Sequence, residues 1–380
     1  MKGKKILIGC SIVIGIIIIL LIGTGVVVYR YYILPLTSSR LEMPEVLKTP
    51  GVLKGADFLI KELFFQDESL GDITDIVLGE FDPSPGIEIG IVGSKGALFL
   101  DEQINIKSSI VFSVRAGQVE IIDVDGDNIC EYLDRGGGWQ KVSLMDHKGN
   151  TIWTYGGMPG VDDICAGDID KDGILEFIVG FNGGGGVRLL DRHAKEKWRK
   201  PDGNVWHVEL IDTDNDGCLE VVHSNAGGEI TVRDSQGEII SRANPPPYFS
   251  SFSICRWPGK RDREYALLSE DGMIWIFDFD GTIAAQFDAP ECGSLGDARG
   301  IPVRIVSGQA EYFAVIVDFG HWERSILYIY NPAGVLVYQE VLSKASTAIA
   351  ALSLGEDGED ALLVGGNGKV WTYKPKHSEE

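Results

Sequence analysis

Asp168-Ile-Asp170-Lys-Asp172-Gly173-Ile-Leu-Glu176, followed by Phe-Ile-Val-Gly180, decides the reading of this chain. The phrase returns as Asp212-Thr-Asp214-Asn-Asp216-Gly217-Cys-Leu-Glu220 and stands earlier as Asp123-Val-Asp125-Gly-Asp127-Asn-Ile-Cys-Glu131. Each copy puts carboxylates at loop positions 1, 3, 5 and 9. A hard divalent cation takes six to eight oxygens, and carboxylates crowded this closely repel one another unless a cation lies between them. The spacing therefore predicts three calcium loops. The ligands would be Asp123, Asp125, Asp127 and Glu131 in the first, Asp168, Asp170, Asp172 and Glu176 in the second, and Asp212, Asp214, Asp216 and Glu220 in the third. The position-7 carbonyls of Ile129, Ile174 and Cys218 would add an oxygen to each. Gly173 and Gly217 at position 6 permit the sharp turn, and Asn128 there tolerates positive φ. An EF-hand is excluded, because it needs a Glu at position 12, which here is Asp134, Val179 or His223. A solvated acidic turn is the plain alternative for one copy; three copies in register favour metal.

The acid closing each loop belongs to a longer series. Glu88, Glu131, Glu176, Glu220, Glu264, Glu311 and Asp360 stand at intervals of 43, 45, 44, 44, 47 and 49 residues. Periods of this size mean solenoids, propellers or arrays. Short alternating runs ending at Asp101, Asp146, Asp191, Asp234 and Asp278 follow the anchors, and several open an Asp-x-x-Gly turn into another run. Four antiparallel strands per unit and seven anchors predict an all-β, seven-bladed β-propeller spanning residues 57–376. The last unit lacks a fourth strand, and the apolar segment 57–66 is expected to supply it and close the ring, or else to form a short helix.

Residues 6–29 are uncharged and mostly apolar. As a helix they would reach about 36 Å, enough to cross a bilayer. Lys2, Lys4 and Lys5 precede this run, so residues 1–5 are expected in the cytoplasm and the remainder outside, as a single-pass protein. The long apolar run disfavours a cleaved signal peptide, and too few apolar residues precede Cys10 for a lipoprotein signal. Residues 30–56, with Pro35, Pro44 and Pro50, read as a tether. The formal net charge of −22, about −16 with three calcium ions bound, argues against nucleic acid as a partner. The cysteines outside the apolar run suggest no disulfide framework.

The three acidic phrases resemble the FG-GAP/VCBS repeat family, the blade type also found at the head of integrin α chains. The resemblance is specific over residues 123–235 and weaker elsewhere. It implies calcium between the first and second strands of a blade and an extracellular binding or adhesive role. The first unit and the fifth to seventh depart from the motif, so no calcium is carried to them. No catalytic constellation stands out. His207 and His223 read as structural, Gly183–Gly186 as a hairpin turn, and Trp139, Trp206, Trp275 and Trp371 as strand residues packing between blades. Trp322, in an insertion beside His321, is a candidate ligand contact. The leading expectation is a membrane-anchored, extracytoplasmic calcium propeller that binds a protein or glycan. The rivals are a glycan-active enzyme of the polysaccharide-lyase type and a scaffold subunit of an envelope complex. A quinone-dependent dehydrogenase is disfavoured, for want of an adjacent cysteine pair.

Overall fold

The computed structural model describes residues 43–81, 86–112, 119–135, 139–245, 252–270, 272–291, 297–354 and 358–376. The expected membrane span at 6–29 lies outside these residues. Among those described, no helix is long and apolar enough to cross a membrane.

Seven antiparallel sheets follow one another along the chain. The first blade is β3 (Ile73–Gly79), β4 (Glu88–Gly93), β5 (Gly96–Leu100) and β6 (Ile106–Val111). The second is β7 (Val119–Ile122), β8 (Glu131–Asp134), β9 (Val142–Met145) and β10 (Thr151–Tyr155). The third is β11 (Val161–Gly167), β12 (Glu176–Phe181), β13 (Gly186–Leu190) and β14 (Glu196–Lys200). The fourth is β15 (Val205–Ile211), β16 (Glu220–Asn225), β17 (Ile230–Arg233) and β18 (Ile239–Ala243). The fifth is β19 (Ser253–Trp257), β20 (Lys260–Glu270), β21 (Met273–Phe277) and β22 (Ile283–Asp288). The sixth is β23 (Asp297–Val303), β24 (Tyr312–Phe319), β25 (Arg324–Tyr330) and β26 (Leu336–Leu342), and the seventh begins with β27 (Ile349–Ser353), β28 (Asp360–Gly365) and β29 (Lys369–Pro375). Its outer strand is β2 (Leu59–Gln66), paired from Leu59 opposite Pro375 to Gln66 opposite Lys369. The stretch read as a tether up to residue 56 already carries β1 (Gly51–Lys54), a fifth strand on the outer edge of the sixth blade. That edge offers unpaired backbone groups, and an extended Gly-Val-Leu-Lys segment satisfies them.

The core lies between the blades. Leu133, Val142 and Leu144 of the second pack on Phe177, Val179 and Phe181 of the third. Leu363 and Val370 of the seventh pack on Ile73 and Ile89 of the first, so the ring closes. Second strands are covered on both faces, and β4, β12 and β28 are buried along their whole length. That explains their near-continuous apolar runs, where an alternating pattern would mark a half-exposed strand. Fourth strands lie at the rim and alternate, as in β14. Neighbouring blades are also tied by indoles: Trp153 Nε1 donates to Arg192 O at 3.1 Å and Trp198 Nε1 to Ser235 O at 2.9 Å.

The Asp-x-x-Gly turns form as expected, with Gly149 N donating to Asp146 O at 2.9 Å and Gly237 N to Asp234 O at 2.8 Å. The first and third blades make the same turn with Ile104 and Ala194 in the left-handed place. Antiparallel order fixes the two mouths of the ring. Loops joining first to second strands, and third to fourth, lie at one end. The second-to-third hairpins and the connections between blades lie at the other.

Candidate functional sites

The three acidic loops occupy the same place in the second, third and fourth blades, between the first strand and the second. Their backbones repeat. Position 4 (Gly126, Lys171, Asn215) and position 6 (Asn128, Gly173, Gly217) both adopt left-handed φ, between 59° and 82°. The sequence pointed to position 6 alone, because Lys171 gives no sign of a left-handed residue. In each loop the first Asp accepts the position-6 amide, at 2.8–2.9 Å. The third Asp accepts the position-7 amide, at 2.7–2.8 Å.

Carboxylate oxygens of Asp123, Asp125 and Asp127 lie within 4.8 Å of one another, as do those of Asp168, Asp170 and Glu176, and of Asp212, Asp214 and Glu220. Glu131, Asp172 and Asp216 lie outside these groupings among the described residues. An all-carboxylate set of this size, on an exposed turn, fits a hard oxygen-seeking cation.

The anchor acids have a second role that needs no ion. Glu131 Oε2 accepts Val124 N at 3.0 Å, Glu176 Oε2 accepts Ile169 N at 3.3 Å, and Glu220 Oε2 accepts Thr213 N at 2.9 Å. Glu88 makes the same bond to Phe81 N, at 2.6 Å, in the blade without a metal phrase. Each spans seven residues and fastens the turn to the second strand. Burial pushes the carboxyls of Glu131, Glu176 and Glu220 above their ordinary range.

A lysine enters two of the blades. In the first four blades the second residue of the fourth strand sits at a register shift, where one extra residue bulges. In the first and third blades that residue is Lys107 or Lys197; in the second and fourth it is Ile152 or Ile240. Lys197 Nζ lies 2.8 Å from Glu176 Oε1 and 3.1 Å from Asp170 Oδ2, and Lys107 pairs with Glu88. The third-blade loop therefore already holds one positive charge.

The inner strands carry a charged network that sequence reading missed. Arg135, just after β8, donates through Nε to Asp163 Oδ1 at 3.1 Å. His207 Nδ1 lies 2.6 Å from Asp163 Oδ2, and His207 Nε2 lies 3.2 Å from Glu209 Oε1. Burial alone would lower the His207 pKa, but Asp163 and Glu209 hold it up, to about 9. Burial pushes nearby Glu120 up to about 7, against the pull of Arg135. Asp163 and His207 sit 44 residues apart at the same place in adjacent blades, a signal that the repeat period contained. The structural reading of His207 and His223 agrees with these partners: His223, fully buried, has Nε2 3.3 Å from Asp202 Oδ2. Among the described residues, Cys130, Cys165, Cys218 and Cys255 are free thiols.

At the opposite mouth, a shallow cleft of about 480 Å³ is lined by Trp139, Asp162, Asn182, Asn204 and Trp206. Asp162 and Trp206 are the bulged residues of β11 and β15. A bulge re-aims one side chain without breaking the sheet. Here it turns an acid and an indole into the same hollow. Trp139 corrects the expectation of strand packing. It lies outside any strand, is 68% exposed, and has φ of 71°. Trp275 and Trp371 do lie in strands and pack on interblade cores. Trp322 sits in a short 3-10 turn, its ring 6.0 Å from Phe319 and 5.9 Å from His321.

No protein-family model and no curated protein matches the chain. Solved structures do share its fold. A crystal structure of BBS1N in complex with ARL6DN, soaked with lead, aligns with a TM-score of 0.56 at 10% identity, covering 84% of this chain and 98% of that one. A streptogramin B lyase structure aligns with a TM-score of 0.54 at 12% identity, covering 85% and 99%. At such identities the likeness is one of fold: this chain is a seven-bladed β-propeller of four-stranded antiparallel blades.

Proposed function

We propose that this chain is a binding propeller of the FG-GAP/VCBS type, held outside the cytoplasm by an N-terminal membrane anchor and stiffened by calcium in three adjacent blades. The observation that carries this reading is the repetition of one loop in the second, third and fourth blades, with the same left-handed positions and three converging carboxylates each time. Asp123, Asp125 and Asp127, then Asp168, Asp170 and Glu176, then Asp212, Asp214 and Glu220 would hold the ions. Bound calcium supplies positive charge and oxygen coordination, which offset carboxylate repulsion and fasten the turn. The chain's own part is to fix the backbone so that the acids meet. The anchor rests on the apolar run at 6–29 and the lysines before it. A protein ligand is a natural partner class for this fold, since BBS1N is seen in complex with ARL6DN.

The test is thermal melting of the full chain in detergent, in chelator and across a calcium titration, with bound metal counted. The expected result is a calcium-dependent rise with up to three ions per chain; one saturated site at one hundred times its Kd adds about 2.7 kcal/mol. No rise and no bound ion would end the calcium reading. Labelling by a membrane-impermeant reagent in intact cells tests the outward placement.

A further inference from the structure

We infer that the cleft between Trp139 and Trp206 is a binding site for a neutral glycan, a reading that rests on the chain being a binding module and adds a sugar site to it. Three features show that the cleft is built. First, Trp139 is an exposed indole on a left-handed backbone. Folding needs neither the exposure nor the strain, and such a combination marks residues kept for function. Gly160 secures it: a Cβ there would lie 2.4 Å from Trp139 Cα, so only glycine lets the two backbones meet. Second, the same bulge in adjacent blades delivers Asp162 and Trp206 to one hollow. Third, the polar groups are half-committed. Asn182 Nδ2 donates to Asp162 Oδ2 at 2.8 Å, and Asn204 Oδ1 accepts Gly183 N at 3.1 Å. Among the described residues, these bonds leave Asp162 Oδ1 and Asn182 Oδ1 as acceptors and Asn204 Nδ2 as a donor, all on residues that line the cleft.

That set matches a pyranose. Sugar hydroxyls both donate and accept, so they can satisfy acceptors and a donor side by side, while the apolar C–H face lies on indole. A hollow that sets aromatic faces beside a few placed polar groups is a usual form of a small-ligand site. An anionic glycan would meet the Asp162 carboxylate in a chain of net charge −22. A quaternary ammonium would suit the indoles and the acid, but its methyl groups would cover the Asn204 amide and leave it unpaired.

The experiment is binding of the full chain in detergent to neutral oligosaccharides of glucose, galactose, mannose and N-acetylglucosamine, with a sulfated oligosaccharide and a trimethyl-lysine peptide alongside. At least one neutral oligosaccharide should bind saturably. Trp139→Asn, which removes the ring from a backbone that asparagine tolerates, should weaken it roughly ten-fold or more with melting unchanged. Asn204→Ala should do the same. No neutral binder, or neutral binding that survives both substitutions, would overturn the assignment. Binding of the trimethyl-lysine peptide alone would overturn it in favour of a cation site, and of the sulfated oligosaccharide alone in favour of an anionic ligand. Each assay is run in calcium and in chelator. Failure of the calcium loops would appear as a missing melting shift, a readout separate from the sugar.

Discussion

The Lys197 ammonium lies 2.8 Å from Glu176 Oε1, in the third-blade loop where Asp168 and Asp170 converge with that acid. A positive charge there does part of what a divalent ion would do. The equivalent residues of the second and fourth blades, Ile152 and Ile240, carry none. Replacing Lys197 with Met should therefore lower melting in chelator, where Glu176 loses its partner, and enlarge the calcium-induced rise. Scanning calorimetry with and without calcium checks this. Equal losses in both conditions would mean that ion and lysine do not compete.

The anchor acids separate structural bonding from metal ligation. Glu220 accepts both the amide and the hydroxyl of Thr213, at 2.9 and 2.8 Å. Glu220→Ala leaves these groups without their partner and should cost about 1–3 kcal/mol even in chelator. Asp214 is exposed, and Asp214→Ala should cost less than about 1 kcal/mol in chelator but remove one ion's share of the calcium stabilisation. Paired denaturant titrations distinguish the two; a full loss for Asp214→Ala in chelator would remove calcium from its role.

The indole ties make a simpler prediction. Trp198→Phe keeps most of the ring but loses the 2.9 Å bond to Ser235 O. It should destabilise by about 1 kcal/mol in chelator and calcium alike. A calcium-dependent effect would mean that this joint communicates with the loops.

His207 sets an alkaline limit. Its folded pKa stands at about 9 against an ordinary 6.5, because Asp163 and Glu209 face it, with Arg135 and Glu120 beyond. A raised pKa gives stability that is fully present below about pH 6.5 and lost as pH climbs through about 9. The total is at most about 3 kcal/mol. Glu120, raised from 4.5 to about 7, acts in a lower window, where stability falls as its buried carboxyl ionises. Melting in saturating calcium should drop between pH 7 and pH 9.5, and His207→Asn should flatten that slope. An unchanged slope would place the titration elsewhere.

The ring was legible in the sequence because Glu88, Glu131, Glu176 and Glu220 recur at one structural position and do one job, holding an amide seven residues back. A repeated job leaves a period. The acidic loops were legible for the same reason. Lys197 was not, because its role depends on a bulge that turns it across the blade, and nothing in Glu-Lys-Trp-Arg-Lys marks which lysine bulges. Trp139 was misread because an aromatic a few residues ahead of a strand-like run, here Val142–Met145, usually packs with it. Its exposure follows from a left-handed backbone and the approach of Gly160, a contact made 21 residues away. Asp162 and Trp206 are partners only once two blades stand side by side.

The strands β1 and β2 also determine how the ring carries load. Tension entering from the N-terminal side of Gly51 first meets β1 on the sixth blade, then β2 on the seventh. In an antiparallel pair the hydrogen bonds lie across the strands, so a pull along the strand shears many bonds together instead of unzipping them in turn. Lys61 of β2, 2.6 Å from Glu340 of β26, couples the two seams. Tension on the chain before Gly51 would therefore have to strip β1 from the sixth blade before any of it reached the β2–β29 pair that closes the ring.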